Sequence, residues 1–195
     1  DFGFKVFMGG AGDHDLVAKM AARAAGVPAD GAVKRILALG CSAGATTTAL
    51  KLHHPGAEVH GIDISAPMVR YAHLRAIEQG VEVHFRQMPA ETLAYGDGEF
   101  DIVLAMLLFH EVPVDVGRRI VEQAFRVLRP GGTFTVLDFV GVRERDVYSM
   151  FFAEMDAADN GEPYLPGYVR SNVEDVMRDV GFELRPYDPK AALSR

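Results

Sequence analysis

The chain has 195 residues, 49% hydrophobic and 24% charged, which fits one folded domain with a full core and excludes a disordered or fibrous chain. Its net charge of −7, with no basic run, excludes a nucleic-acid footprint. No apolar run reaches the roughly 18 residues of a membrane span, and the single cysteine, Cys41, excludes an internal disulfide. A lone thiol suits a reducing compartment, so a cytoplasmic location is expected. No signal peptide is read at the start. The chain begins at Asp1 without Met, so residues are expected to be missing before it.

In chain order, residues 1–8 carry Phe2, Phe4 and Phe7 ahead of a GGAG stretch at 9–12. They read as a short arm packed on the core, or as a lid over a site. Asp13 is a good N-cap for a helix to about Ala25, with Leu16, Val17 and Met20 at helical spacing. Gly26, Pro28 and Gly31 end that helix. From Lys34 the pattern alternates. Strands are predicted at 34–39, 57–62, 81–86, 100–106 and 132–139, and helices at 45–54, 66–79, 114–128, 144–158 and 171–180. Strands separated by helices predict an α/β fold, a Rossmann-like doubly wound, mainly parallel sheet with helices on both faces. The runs ILAL, DIVLAM and FTVLDF are nearly all apolar, as strands covered on both faces should be. After Gly181, residues 182–187 can serve as a sixth strand, and only eight residues follow.

Residues 34–44, KRILALGCSAG, organise the rest. A short strand runs into a glycine-rich turn, and a helix starts near Ala45. Glycine accepts φ > 0 there and lets a ligand approach the backbone. The helix aims its free N–H groups and positive dipole end at that ligand. Asp63 ends the second predicted strand, 23 residues after Gly40. A carboxylate at that place can accept hydrogen bonds from two ribose hydroxyls. The other reading is that Asp63 or Ser65 caps the following helix.

The stretches ILALGCSAG, EVHGIDISAPMVRYA, FRQMPAETL, FDIVLAMLLFHEV and VLRPGGTF occur in that order over residues 34–139. In this the sequence resembles a class I S-adenosylmethionine-dependent methyltransferase. It is similar, more narrowly, to a bacterial subgroup with a GCS-type loop, an HE pair after strand four and an acidic NNEP-like segment, here 160–163. A nicotinamide dehydrogenase is the runner-up. Its fingerprint wants glycine where Ser42 stands, and the PGG turn at 130–132 favours the methyltransferase.

The resemblance implies a single domain over 1–195. It comprises an N-terminal arm and helix at 1–30, a cofactor-binding core at 34–139, and acceptor-side helices with the last strand at 140–195. The family usually ends with a seventh, antiparallel strand, and the residues after 187 are too few for it, so that strand is expected to be missing or supplied by an N-terminal segment or another chain. It implies S-adenosylmethionine as cofactor and S-adenosylhomocysteine as product. Gly40, Cys41, Ser42 and Gly44 would form the cofactor turn, with Asp63 on the ribose. Ile64 and Met68 are apolar walls for adenine or core residues. Ala90 and Glu91 would meet the adenine ring, near Met88, and Met106 would line the floor by the methionine part. Three departures stand out: Ala38 where the family often has an acid, Ser42 at the middle glycine, and Met88-Pro89 where an acid is common. His110 and Glu111, just past strand four, would serve the acceptor side. His110 is a base or positions the acceptor, or it packs under the loop as a structural residue.

His53, His54, His60, His73 and His84 read as surface or helix-end residues. No metal site is expected, because neighbours such as His53 and His54 point apart on a helix. Asp156, Asp159 and Glu162 are a solvated face or a grip for an amine. The expected partner is a small-molecule methyl acceptor, with neither nucleic acid nor membrane, and the protein a monomer or homodimer. The alternative function is a catalytically inactive cofactor-binding or interaction module of the same fold, which Ala38 and Ser42 keep open.

Overall fold

The computed structural model describes residues 14–138 and 147–185. The expectations for Phe2, Phe4, Phe7 and the Asp13 cap lie outside those residues. Among the described residues five parallel strands form one sheet in the order β3-β2-β1-β4-β5. They are β1 Arg35–Leu39, β2 Glu58–Asp63, β3 His84–Gln87, β4 Phe100–Met106 and β5 Leu128–Leu137. The helices are α1 His14–Ala24, α2 Ala45–His53, α3 Ala66–Glu78, α4 Val114–Val127, α5 Val147–Asn160, α6 Leu165–Arg170 and α7 Val173–Val180.

The period of two along the central strands sorts the core into two halves. Ile36, Ala38, Val59, Ile102 and Leu104 face α1 and α2. Leu37, Leu39, Ile62, Val103 and Ala105 face α4 and α7. Both faces are buried, which is why residues 36–39 of β1 and 102–106 of β4 read as unbroken apolar runs. α1 meets the core through Ala18, Ala22 and Ala25. Leu16 and Met20, expected on its inner face, are exposed. The small alanines let α1 lie close to α2, and the larger side chains turn outward.

The five strands from 34 to 139 form in the expected order, and several boundaries differ. β3 begins at His84, because Val81 and Val83 pack as loop residues against the core. The helix predicted at 171–180 is two helices, with Asn172 capping α7 through the N–H groups of Glu174 and Asp175. The sixth strand expected at 182–187 does not form over 182–185, its described part. Gly181 ends α7 at φ 116, and Phe182 is directed onto Phe125 and Phe134 instead of toward the edge of β5.

An aspartate closes the amino end of the sheet. Asp101 Oδ2 accepts the N–H groups of Lys34 (2.7 Å) and Arg35 (2.8 Å), and Oδ1 accepts from Arg129 Nε (2.6 Å). Burial pushes the Asp101 pKa up, but the Arg129 hydrogen bond and the two backbone donors outweigh it, and the carboxyl lies below its ordinary range. Asp101→Ala should cost about 1.5–3 kcal/mol in urea denaturation at neutral pH, the scale of hydrogen bonds to a charged group. A depressed folded pKa contributes stability that is present above the unfolded value, about 3.9, and is lost as pH falls through the folded one. The difference between the two proteins should therefore shrink in acid.

Candidate active site

The order β3-β2-β1-β4-β5 reverses direction between β1 and β4, so a crevice opens at the carboxyl ends of those two strands. The turn after β1 fills one side of it. Gly40 (φ 62), Ser42 (φ 47) and Gly44 (φ 79) all take left-handed backbone. A Cβ on Gly40 would stand 2.9 Å from Leu108, and one on Gly44 would stand 2.8 Å from both Ala72 and Phe85. Gly44 therefore also allows close contact between the turn, α3 and β3. No side chain caps the start of α2. Its first N–H groups point into the crevice as donors for an anion or polar ligand.

Asp63, at the carboxyl end of β2, holds this turn. Its Oδ2 accepts the Ser42 N–H and its Oδ1 accepts the Ser65 N–H, both at 2.8 Å. The Ser65 hydroxyl in turn accepts from Met68 N–H, so Ser65 is the helix cap. Each Asp63 oxygen keeps a second acceptor position. Beside it Ile64 is 69% exposed and Met68 44% exposed, so both are surface rather than core. Cys41 is buried, and burial together with the Asp63 charge pushes its thiol up to about 12, so it is protonated and unreactive near neutrality.

Met88 lies in the core, its sulfur accepting Ala94 N–H, and only its backbone joins the site, donating to Asp63 O. Ala90 and Glu91 are half-buried on the same rim. Gln87, not singled out from the sequence, donates to Ile64 O (3.0 Å) and braces the rim. Met106 ends β4, with the Thr46 hydroxyl 3.3 Å from its sulfur, and so ties the start of α2 to the floor.

The other side of the crevice follows β4. Leu107 takes φ 52, rare for a branched residue, and a 3₁₀ turn, Phe109–Glu111, follows. His110 is buried there. Its Nδ1 lies 2.6 Å from Asp138 Oδ1, while Asp138 Oδ2 accepts the N–H groups of Leu108 (3.1 Å) and Phe109 (2.8 Å). Glu111 is exposed, its Oε1 3.7 Å from His110 Nε2. Burial pulls the His110 pKa down. The Asp138 hydrogen bond and the charges of Asp138, Glu162 and Glu111 outweigh that and raise it. Burial, then the Asp138 charge, raises the Tyr168 phenol.

Asp138 is the site residue that the sequence reading passed over. Its signal was present: FTVLDF puts an acid at the carboxyl end of a strand, as VHGID does. His60, expected at the surface, is buried in mid-β2. Its Nε2 is 2.7 Å from Glu58 and its Nδ1 3.3 Å from the Tyr95 hydroxyl. Asp159 is exposed, and the Asp156 side chain is outside the described residues. Among the described residues no three or more His, Cys, Asp or Glu side chains are grouped to hold a metal ion, and no helix is long and apolar enough to cross a membrane.

This strand order, glycine turn and strand-end acid define a Rossmann-like cofactor-binding domain. The methyltransferase domain family matches residues 36–132, and the chain belongs to the class I S-adenosylmethionine-dependent methyltransferases. A demethylmenaquinone methyltransferase of Thermus thermophilus is 38% identical over 153 residues, 77% of this chain and 66% of that protein. A ubiquinone biosynthesis O-methyltransferase of Paraburkholderia phymatum is 33% identical over 125 residues, 64% of this chain and 50% of that protein. The chain thus spans about half to two thirds of the length of these curated relatives. Among solved structures, a SAM-dependent methyltransferase from Methanosarcina mazei superposes with a TM-score of 0.54 at 26% identity, over 65% of this chain and 61% of that one.

Gly44→Val places a branched side chain at φ 79 against Ala72 and Phe85. Overpacking of this kind costs about 1–3 kcal/mol. Urea denaturation should show that loss of stability, and not only a loss of ligand binding.

Proposed function

We propose that the protein transfers a methyl group from S-adenosylmethionine to a small-molecule acceptor. One observation carries this reading: a glycine turn held by Asp63 stands across the β1/β4 crevice from a buried histidine held by Asp138. One side is built to hold a nucleoside and the other to handle a proton.

The residues present fit the cofactor. The turn at Gly40, Cys41, Ser42 and Gly44 and the uncapped start of α2 offer backbone donors, and Asp63 offers acceptor positions for ribose hydroxyls. Ile64 and Met68 offer exposed apolar surface for adenine, with the Met88 backbone, Ala90 and Glu91 at its edge. Met106 underlies the methionine part. When bound, S-adenosylmethionine supplies a methyl group on a positively charged sulfur, already a strong electrophile. The chain's own work is then alignment of the acceptor at about 3 Å, exclusion of water, and proton removal where the acceptor carries one. His110 and Glu111 are the residues assigned to the acceptor side.

The names of the Thermus and Paraburkholderia relatives support a quinone-type ring as the first acceptor class to assay. The reading takes 1–195 as one domain, in the cytoplasm, as a monomer or homodimer. The buried thiol and acidic charge support that setting. Calorimetry with S-adenosylmethionine and S-adenosylhomocysteine tests the cofactor, and a methyl-transfer assay over quinones and a metabolite panel tests the activity. Binding without transfer would leave an inactive module of the same fold. Asp63→Ala should weaken S-adenosylmethionine binding by about 1.5–3 kcal/mol, with native circular dichroism. Unchanged affinity would remove Asp63 from the ribose.

A further inference from the structure

We infer that the outer face of α3 is a contact surface for a second copy of this chain, with the two α3 helices antiparallel and Leu74 of each meeting at a two-fold axis. This contact is independent of the methyltransferase reading above.

α3 lies on the flank of the sheet against β2 and β3, and β3 is the end strand among the described residues. Ala72 and Ala76 are the buried residues of the helix. At about 3.6 residues per turn, the line opposite them runs through Arg70, Tyr71, Leu74, Ile77 and Glu78. A surface helix ordinarily carries charged or polar side chains on that line. Here Tyr71 is 57% exposed, Leu74 59% and Ile77 62%. Large apolar side chains scattered singly over a surface are ordinary, but three on the outermost line of one helix form a continuous stripe. The free edge of β3 is a poorer contact. That strand has four residues, three of them exposed, and carries His84, Arg86 and Gln87, a short polar edge that discourages strand addition.

The order of charges along the stripe names the occupant. Arg70 and Glu78 are each four residues from Leu74, and Tyr71 and Ile77 are each three residues from it. Turning the helix end for end about Leu74 therefore exchanges Arg70 with Glu78 and Tyr71 with Ile77. In an antiparallel pair, Arg70 of each copy faces Glu78 of the other, and Tyr71 of each faces Ile77 of the other. Such a patch is complementary to itself, the condition for an isologous two-fold contact. Both charges are exposed, and neither is held in an ion pair within the described chain. A partner of another kind would not require that symmetry. The contact does not use Ile64 or Met68, at the rim end of the helix.

One helix against one helix lies at the small end of specific interfaces, below about 1,200 Å² in total, where complexes are weak and reversible. The dimer should therefore form in the micromolar range and dissociate on dilution. Sedimentation velocity of the full chain over a concentration series tests this. A reversible monomer–dimer equilibrium is expected. Leu74→Glu, which sets two carboxylates against each other at the axis, should abolish it, with native circular dichroism because Leu74 is exposed. Arg70→Glu and Glu78→Arg should each weaken the dimer by about tenfold, since each turns two attractions into two repulsions at the rim. Mixing these two variants should restore it, because their heterodimer recovers both opposite-charge pairs. A protein that stays monomeric to about 1 mM, a dimer untouched by Leu74→Glu, or single variants that the mixture fails to restore would overturn the inference. None of these outcomes touches the methyltransferase reading, which is tested by ligand binding and turnover.

Discussion

The site depends on β1 being flanked in parallel register by β2 and β4. Leu39 pairs with Ile62 on one side and Ala105 on the other. That pairing brings the three carboxyl ends to one level and leaves three chain reversals side by side. Each reversal exposes N–H groups that the ladder no longer serves. The chain meets this demand with aspartates. Asp63 takes the N–H groups of Ser42 and Ser65, Asp138 takes those of Leu108 and Phe109, and at the opposite end Asp101 takes those of Lys34 and Arg35. Charge-assisted bonds of this kind are stronger than neutral ones. They extend the order of the sheet past its last ladder bond, where ligands bind.

The three aspartates differ in what else they face. Asp101 meets a guanidinium, Arg129, and makes a structural lock. Asp63 lies at the rim, with exposed Ile64 and Met68 beside it, and each of its oxygens keeps a second acceptor position. Asp138 faces a buried imidazole. The same residue type thus gives a lock with a guanidinium, a brace for the glycine turn and a partner for an imidazole, according to the neighbour across the gap.

Much of this was legible in the sequence, for physical reasons. β1 and β4 announce themselves because burial on both faces leaves only apolar residues over 36–39 and 102–106. The turn announces itself because left-handed backbone favours glycine at 40 and 44. Asp63 is legible through its fixed distance from that turn. Asp138 was not read, since its partner His110 is 28 residues away and the pairing exists only through the β4–β5 register. His60 was misread because alternation does not tell a polar residue on an uncovered face from one inside a network with Glu58 and Tyr95. Phe182 was misread because a strand-like pattern after Gly181 also suits a segment that packs rings onto a helix. In each case the missing information is a contact distant in sequence.

The two sides of the crevice also differ in how they tolerate change. On the turn side the contacts are made by backbone, so the Ser42 departure matters less than its side chain suggests. Ser42 is exposed, and its N–H still reaches Asp63 from φ 47. A left-handed serine costs more than glycine, and the Asp63 bond offsets part of that cost. On the His110 side the contacts are made by buried charge, where removing one partner leaves the other uncompensated. Asp138 can lie at 1% side-chain exposure because it has two N–H donors and a ring nitrogen. His110 can be basic because that carboxylate cannot turn away without giving up the same two donors. The strained bend at Leu107 and the proton affinity of His110 are thus two consequences of a single carboxylate, fixed in place by the pairing of β4 with β5.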